Sequence, residues 1–391
     1  MDNPKARLTI SSLFSGSLVD LMHPPQGQIP YLDGLRTIAI LLVINGHLSG
    51  QFAQAYGANR YSHLPFVADG WIGVDLFFIL SGFFIGGQLW KEVRRTRNVN
   101  VGRFILRRGF RIWPLYFFTF LCVFLWHLAS GQSMADKQYG WSDIVFLTNY
   151  HNRGIVLGSW SLCTEEQFYI VTPIALFIFA SHLPQLRNFR PWLWALLISV
   201  TLLRAAIWIF FTGHFFVHDT LLFAPLYYAS ITHCDGLIMG LIIANLWAAN
   251  EQPRSRFASP GLLVLYGLAI TVVLNIVQRE IFDFFVLALL FGAFTWLGLQ
   301  RPIAIFNSRI FYWISRLSFG MYLNHEYMIP FAVRCIGGIA HSMPALFAHF
   351  SVVANLLGVA LLVLFSAVVS LVTFCCVEHP FLQARKVVLG H

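Results

Sequence analysis

Long apolar segments divide this sequence and leave little choice of fold. They lie near residues 35–53, 71–90, 111–129, 162–181, 191–211, 226–248, 260–277, 283–300, 312–333 and 351–376. Each approaches the roughly 20 residues that a helix needs to cross a hydrocarbon core. In lipid the backbone finds no water, so such a segment must satisfy its own N–H and C=O groups, which a helix does. The expectation is an all-α, polytopic membrane helix bundle of about ten transmembrane helices. The sixth span is broken by polar residues, and only a short link separates the seventh from the eighth. Composition agrees: 57% of residues are hydrophobic and 11% charged, against roughly 25% charged in soluble domains.

The net charge of +9 does not indicate nucleic-acid binding. With the N-terminus in the cytosol, 19 of the 26 Lys and Arg residues fall in cytosolic segments and four outside, as the positive-inside rule requires. Both termini are then cytosolic. Residues 1–30, with Pro24-Pro25, read as a flexible cytosolic arm. Residues 31–385 read as one transmembrane domain with no fused soluble domain. Residues 1–33 lack a cleavable signal sequence, so the first span serves as an uncleaved anchor. The six cysteines show no metal-ligand spacing; neither a metal site nor a structural disulfide is expected.

Several spans carry polar groups that lipid would not tolerate, so those groups face an interior or a cavity. The first span contains Arg36 and His47. Eleven helical steps return to within about 20° of the same face, roughly 16 Å further along the axis. The pair suggests an anionic ligand at one end and proton chemistry at the other. In the most basic link, Arg107, Arg108 and Arg111 form one cationic patch on a helix, suited to bidentate phosphate recognition and equally to topogenic charge. In the second span Asp75 shares a face with Gly82 and Gly86, a small-xxx-small pair for close packing; Ser81 lies beside them. Asp75 is either a polar staple between helices or a site residue.

The fourth span opens with Trp160, Glu165, Glu166 and Tyr169. Glu165 and Tyr169 share a face, and either carboxylate could orient a base. In the ninth span Ser318, Tyr322 and His325 form a polar stripe at i, i+4 and i+7. By depth, Asp75, Glu165 and His325 descend from the outer half toward His47, while Arg36 and the Arg108/Arg111 patch approach from the cytosol.

Together these segments resemble the acyltransferase 3 family of integral membrane acyltransferases over about residues 31–385. Arg36-x10-His47 matches its first-helix signature. Gly73-Val-Asp75-Leu-Phe-Phe-Ile-Leu-Ser81-Gly82-Phe, Arg108-Gly-Phe-Arg111, Trp160-Ser-Leu-Cys-Thr-Glu165-Glu166-Gln-Phe-Tyr169, Tyr322-Leu-Asn-His325 and Glu378-His-Pro380 are similar to further motifs in order. One departure is His233-Cys-Asp235, where an Arg commonly precedes the Asp. The resemblance implies a multi-pass enzyme of the bacterial inner (plasma) membrane. It would move an acyl group, most often acetyl, from acyl-CoA to a hydroxyl of a carbohydrate or glycolipid acceptor such as lipopolysaccharide or another surface polysaccharide. Acyl-CoA would be a substrate, and no cofactor is permanently bound.

Under that reading His47, Glu165 and Arg36 are catalytic, and Arg108, Arg111 and Arg107 bind acyl-CoA. Asp75, Ser81, Trp160, Tyr169, Ser318, Tyr322 and His325 line the cavity or support it. The remaining partners are membrane lipids, with no nucleic acid; oligomeric state is open. A transporter or flippase for an anionic or lipid-linked solute also accounts for intramembrane charge, although no inverted repeat is visible. The other large class of membrane O-acyltransferases also uses an intramembrane His, but Arg36-x10-His47 and the RxxR link fit it poorly.

Overall fold

A computed structural model describes residues 10–24, 27–56, 69–131, 140–151, 154–180, 182, 185–213, 220–249, 265, 268–270, 281–300, 304–342 and 351–390. The described regular structure is all helical: α1 Ile10–Met22, α2 Pro30–Tyr56, α3 Ile72–Thr96, α4 Val101–Ala129, α5 Gly140–Ile144, α6 Thr148–His151, α7 Trp160–Phe179, α8 Arg190–Thr212, α9 Thr220–Tyr228, α10 Asp235–Ala248, α11 Asp283–Gln300, α12 Arg309–Ser342, α13 Ser351–Thr373 and α14 His379–Leu389. A π-helical turn, Phe374–Glu378, joins the last two.

Among the described residues, six helical segments are long and apolar enough to cross a membrane: Ile72–Thr96, Val101–Ala129, Trp160–Phe179, Leu186–Thr212, Asp283–Gln300 and Val352–Leu389. They coincide with six of the ten expected spans. Two more expected spans are the 27-residue α2 and the 34-residue α12. Both exceed the required length, and their polar residues build the site below. The span expected at 226–248 is divided: α9 ends at Tyr228, and α10 is only 14 residues long. The span expected at 260–277 lies largely outside the described residues.

Lipid is the natural solvent for the outward faces of α4 and α8. Leu121, Leu125, Trp126 and Leu128 project from one, and Leu202, Phe210 and Phe211 from the other. Among the described residues, α3 is the most enclosed of these spans. Its packing on α10 follows from glycine. A β-carbon on Gly82 would overlap the carbonyl oxygen of Leu237, and one on Gly240 the carbonyl of Ile79. The two backbones therefore touch, as small-residue seams allow. Buried Trp90 donates to the Leu241 carbonyl at 3.0 Å along the same seam.

The break before α10 is secured by a fully buried ion pair. Arg204 of α8 grips Asp235 with both terminal nitrogens, at 2.9 and 3.1 Å. It also donates to the carbonyls of Ile281, at 2.7 Å, and Thr232. The cation that the family pattern places next to this aspartate is thus supplied here by another helix. All six cysteines are free.

The expected flexible arm includes α1. Ser17 of this helix bonds to His379 Nδ1 at 2.8 Å, and His379 Nε2 meets Asp20 at 2.9 Å, tying α1 to α14.

Candidate active site

Helices α2, α3, α4, α7, α10, α12 and α14 and the π-helical turn surround a cavity of about 690 Å³. Local sequence explains how each charge reaches it. Helix α4 begins at an Asn100 cap, whose side-chain oxygen accepts from the Arg103 N–H at 3.0 Å. That start makes the RxxR segment helical, so Arg108 and Arg111 share the face turned to the cavity. Arg107 is not among the lining residues. Arg36 enters from the first third of α2. Beside it Asp33 accepts from Ser315 of α12 at 2.6 Å and from Gln28 at 2.5 Å.

Arg316 is one of the 19 cations that the positive-inside reading puts in cytosolic segments. The structure places it in the cavity with Arg36, Arg108 and Arg111. The available signal was its position inside α12, beside the Ser318–Tyr322–His325 stripe. Each of three guanidinium groups rests on an aromatic face: Arg36 on Phe84 at 4.9 Å, Arg108 on Tyr169 at 5.3 Å and Arg316 on Phe374 at 5.5 Å. Arg108 Nε and Nη2 and Arg316 Nε are buried with no hydrogen-bond partner. Buried charged donors normally have partners, so the cavity has the form of a receptor for an anion. Lys91 and Arg94 add positive charge to its lining.

Three carboxylates share this space: Asp33, Glu165 and Glu378. Glu378 was legible only as part of a Glu-His-Pro motif with no assigned role; the π-helical turn carries it into the cavity. Such turns often mark functional positions. Of the two candidate glutamates on α7, Glu165 lines the cavity and Glu166 does not. Tyr169 donates to Glu165 and pairs with Ser81. Glu166 instead accepts from the Trp113 indole at 3.0 Å. Glu165 therefore stands with the arginines rather than with the group descending toward His47.

The cavity stops at Ser161 and Tyr322, whose hydroxyls lie 2.6 Å apart. The Tyr322 hydroxyl also reaches the carbonyl of Gly158 at 3.1 Å. Gly158 has φ +66°, and a β-carbon there would come within 2.7 Å of Glu326, so glycine suits the turn on both counts. The preceding link is tied down by Asp143, which accepts from the backbone N–H groups of Ile155 and Val156 at 2.7 and 3.3 Å. Tyr327 of α12 holds it as well, accepting from the Leu157 N–H at 2.8 Å.

His47 does not line the cavity. It lies beyond Tyr322, with its Nδ1 2.7 Å from Nε2 of His325. The His325 ring sits 5.8 Å from that of Tyr322, centroid to centroid. Ser318 lines the cavity one turn before Tyr322. The stripe on α12 therefore runs from the arginines to His47. No metal ligands were expected, yet donor atoms of His47, His325 and Glu326 lie within 4.8 Å of one another.

Asp75 and Trp160 lie elsewhere. Asp75 is buried between α3 and α10, 3.0 Å from His233 Nε2, while His233 Nδ1 bonds the Tyr227 carbonyl at 2.6 Å. Trp160 packs on Phe78, Tyr227, Tyr228 and His233. Both residues stand in the wall behind the cavity.

The model of the acyltransferase domain named Acyl_transf_3 matches residues 29–375. That decides the family. The chain belongs to the acyltransferase 3 family. Two family relatives are the peptidoglycan O-acetyltransferase OatA of Listeria monocytogenes and the O-acetyltransferase OatA of Staphylococcus aureus. The first is 25% identical over 334 residues, covering 76% of this chain and 49% of the relative. The second is 29% identical over 244 residues, covering 59% and 36%. The chain spans half or less of the length of these curated relatives. No solved structure matches. The matched residues include Arg36, Arg108, Arg111, Glu165 and Arg316 of the cavity; Glu378 and Leu382 lie beyond them.

Proposed function

We propose that this chain is an O-acetyltransferase that takes acetyl groups from acetyl-CoA to a hydroxyl of a cell-envelope glycan. The observation that carries the reading is the cavity: Arg36, Arg108, Arg111 and Arg316 at one end, with unpartnered buried nitrogens on Arg108 and Arg316, and the Tyr322–His325–His47 sequence at the other. Arg108, Arg111 and Arg316 bind the phosphates of CoA from the cytosol. Arg36, beside Asp33 and Phe84, fixes the same anion deeper in. The thioester lies toward Ser161 and Tyr322. The relatives' names favour a peptidoglycan-type glycan over lipopolysaccharide as acceptor.

His47 acts as general base, a task suited to a neutral imidazole. It takes the proton of the acceptor hydroxyl. That oxygen bonds to the acyl carbon, the carbon–sulfur bond breaks, and the CoA thiolate recovers the proton. Glu165, held by Tyr169 and Ser81, sets the charge balance among the arginines. In this reading about ten spans cross the inner membrane, with both termini cytosolic.

The test compares wild type and His47→Ala at matched expression in a strain lacking the chromosomal copy. Acetate released from the envelope by mild base is the readout. The expected result is its loss in the variant. Unchanged ester acetate would remove His47 from the chemistry. Accumulation of a labelled anionic solute in proteoliposomes with no acetyl product would favour transport instead.

A further inference from the structure

The two histidines at the end of the cavity constrain each other's protons. His325 is buried, and its Nδ1 lies 2.7 Å from the backbone carbonyl of Tyr322. A carbonyl oxygen only accepts, so His325 Nδ1 carries hydrogen. In neutral His325, Nε2 then has the lone pair. That nitrogen is 2.7 Å from His47 Nδ1. The two ring planes are parallel to within 8°, with centroids 5.0 Å apart, which lets the N–H of one point at the in-plane lone pair of the other. His47 must therefore hold its hydrogen on Nδ1, which leaves His47 Nε2 unprotonated. Glu326 Oε1 lies 3.9 Å from the same His47 Nδ1.

We infer that His325 is a positioning residue: its carbonyl-anchored ring fixes His47 in the Nδ1–H tautomer and turns His47 Nε2 into the base. Glu326 is the counter-charge for the imidazolium formed when Nε2 takes the acceptor's proton. This rests on the reading of His47 as the base. The logic is that of any catalytic imidazole whose second nitrogen is held by a neighbour. Here the neighbour is a second imidazole, itself fixed by the main chain of α12. The proton bookkeeping is closed: one hydrogen stays on His47 Nδ1, donated to His325 Nε2, one stays on His325 Nδ1, donated to the Tyr322 carbonyl, and the transferred proton occupies only His47 Nε2. The same three side chains could be read as a metal site. A zinc ion about 2.0–2.1 Å from each of two imidazole nitrogens in tetrahedral geometry holds them roughly 3.3 Å apart. The observed 2.7 Å is a hydrogen bond.

The experiment uses full-length His325→Gln and His325→Leu beside His47→Ala. Gln offers an acceptor near the place of Nε2; Leu fills the volume and offers none. Base-labile envelope acetate is followed at matched expression, and acetyl-CoA affinity is measured by calorimetry on protein purified in detergent. We expect His325→Leu to lose about 100-fold or more in acetylation rate. His325→Gln should stay within about tenfold of wild type, with acetyl-CoA affinity unchanged in both. Equal activity of the Gln and Leu variants, high or low, would overturn the acceptor role. So would one equivalent of zinc in purified wild type that is lost in His325→Leu. Should the Leu variant lose acetyl-CoA binding through misfolding, Glu326→Gln leaves both rings in place. A rate about tenfold lower is then expected, and an unchanged rate would overturn the counter-charge. If His47→Ala retains full ester acetate, the base assignment itself has failed; if His47→Ala is inactive and His325→Leu is normal, only the present inference has.

Discussion

Replacing Arg316 with Met should weaken acetyl-CoA binding while leaving the protein at least as stable. Five guanidinium groups, from Arg36, Arg94, Arg108, Arg111 and Arg316, share the cavity with three carboxylates, from Asp33, Glu165 and Glu378. Arg316 Nε is buried without a partner, so no internal bond to that nitrogen is lost on substitution. Two like charges about 8 Å apart at an effective permittivity near 20 repel by about 2 kcal/mol. Removing one of these cations relieves part of that repulsion. Toward a bound phosphate the balance reverses. One charge-assisted hydrogen bond contributes about 1.5–3 kcal/mol, which at 1.36 kcal/mol per tenfold becomes roughly a 10- to 150-fold rise in Kd. Calorimetric titration of acetyl-CoA into wild type, Arg316→Met and Arg316→Lys in detergent reads the affinity, and thermal unfolding of the same samples reads stability. Lys keeps the charge without the planar fork, so it should fall between the two. Unchanged affinity in Arg316→Met, with a clear loss of stability, would refute the reasoning. Arg316 would then be a brace against Phe374 rather than a donor ligand.

Two further predictions concern the frame around the site. Arg204→Leu strands a buried carboxylate and two carbonyls and should cost about 3–5 kcal/mol; Arg204→Leu with Asp235→Leu should recover most of that, as read by denaturant unfolding. A double variant no more stable than the single would show that the pair is not a self-contained unit. Gly82→Leu should force α3 from α10 and abolish folded expression, whereas Gly50→Ala, with nothing within 4 Å of its β-carbon, should add up to about 1 kcal/mol of helix stability. Equal yields of both would contradict the backbone contact.

Much of the helical frame was legible from hydropathy because lipid imposes the same demand on every crossing segment. The six helices that satisfy length and apolarity were all anticipated. Helices α2 and α12 were also anticipated, and their polarity is itself a report of the site: Asp33, Arg36 and His47 on α2, and Arg316, Tyr322 and His325 on α12. The divided sixth span was visible as a polar interruption. Its cause was not, because Arg204 lies 31 positions before Asp235 and nothing local announces the pair. Periodicity placed Glu165 with Tyr169, and the structure adds Ser81 as their neighbour across the helix interface. It could not choose between Glu165 and Glu166, since each points plausibly inward until α4 supplies Trp113 for one of them.

The ordered motifs by themselves determined that this chain is an acyltransferase 3 protein built of membrane helices, with Arg36 and His47 on one face of the first. The family follows from the order of those motifs, the membrane helices from apolar length, and the shared face from the angular period of a helix. Only the tertiary structure decided which groups share a compartment. It gathered Arg36, Arg108, Arg111, Arg316, Glu165 and Glu378 into one cavity, and it set His47 outside that cavity against His325. The His47–His325 pairing alone joins positions 278 residues apart in the chain. A helix's own sequence states which face each side chain occupies; the partner across that face is set by how the helices pack.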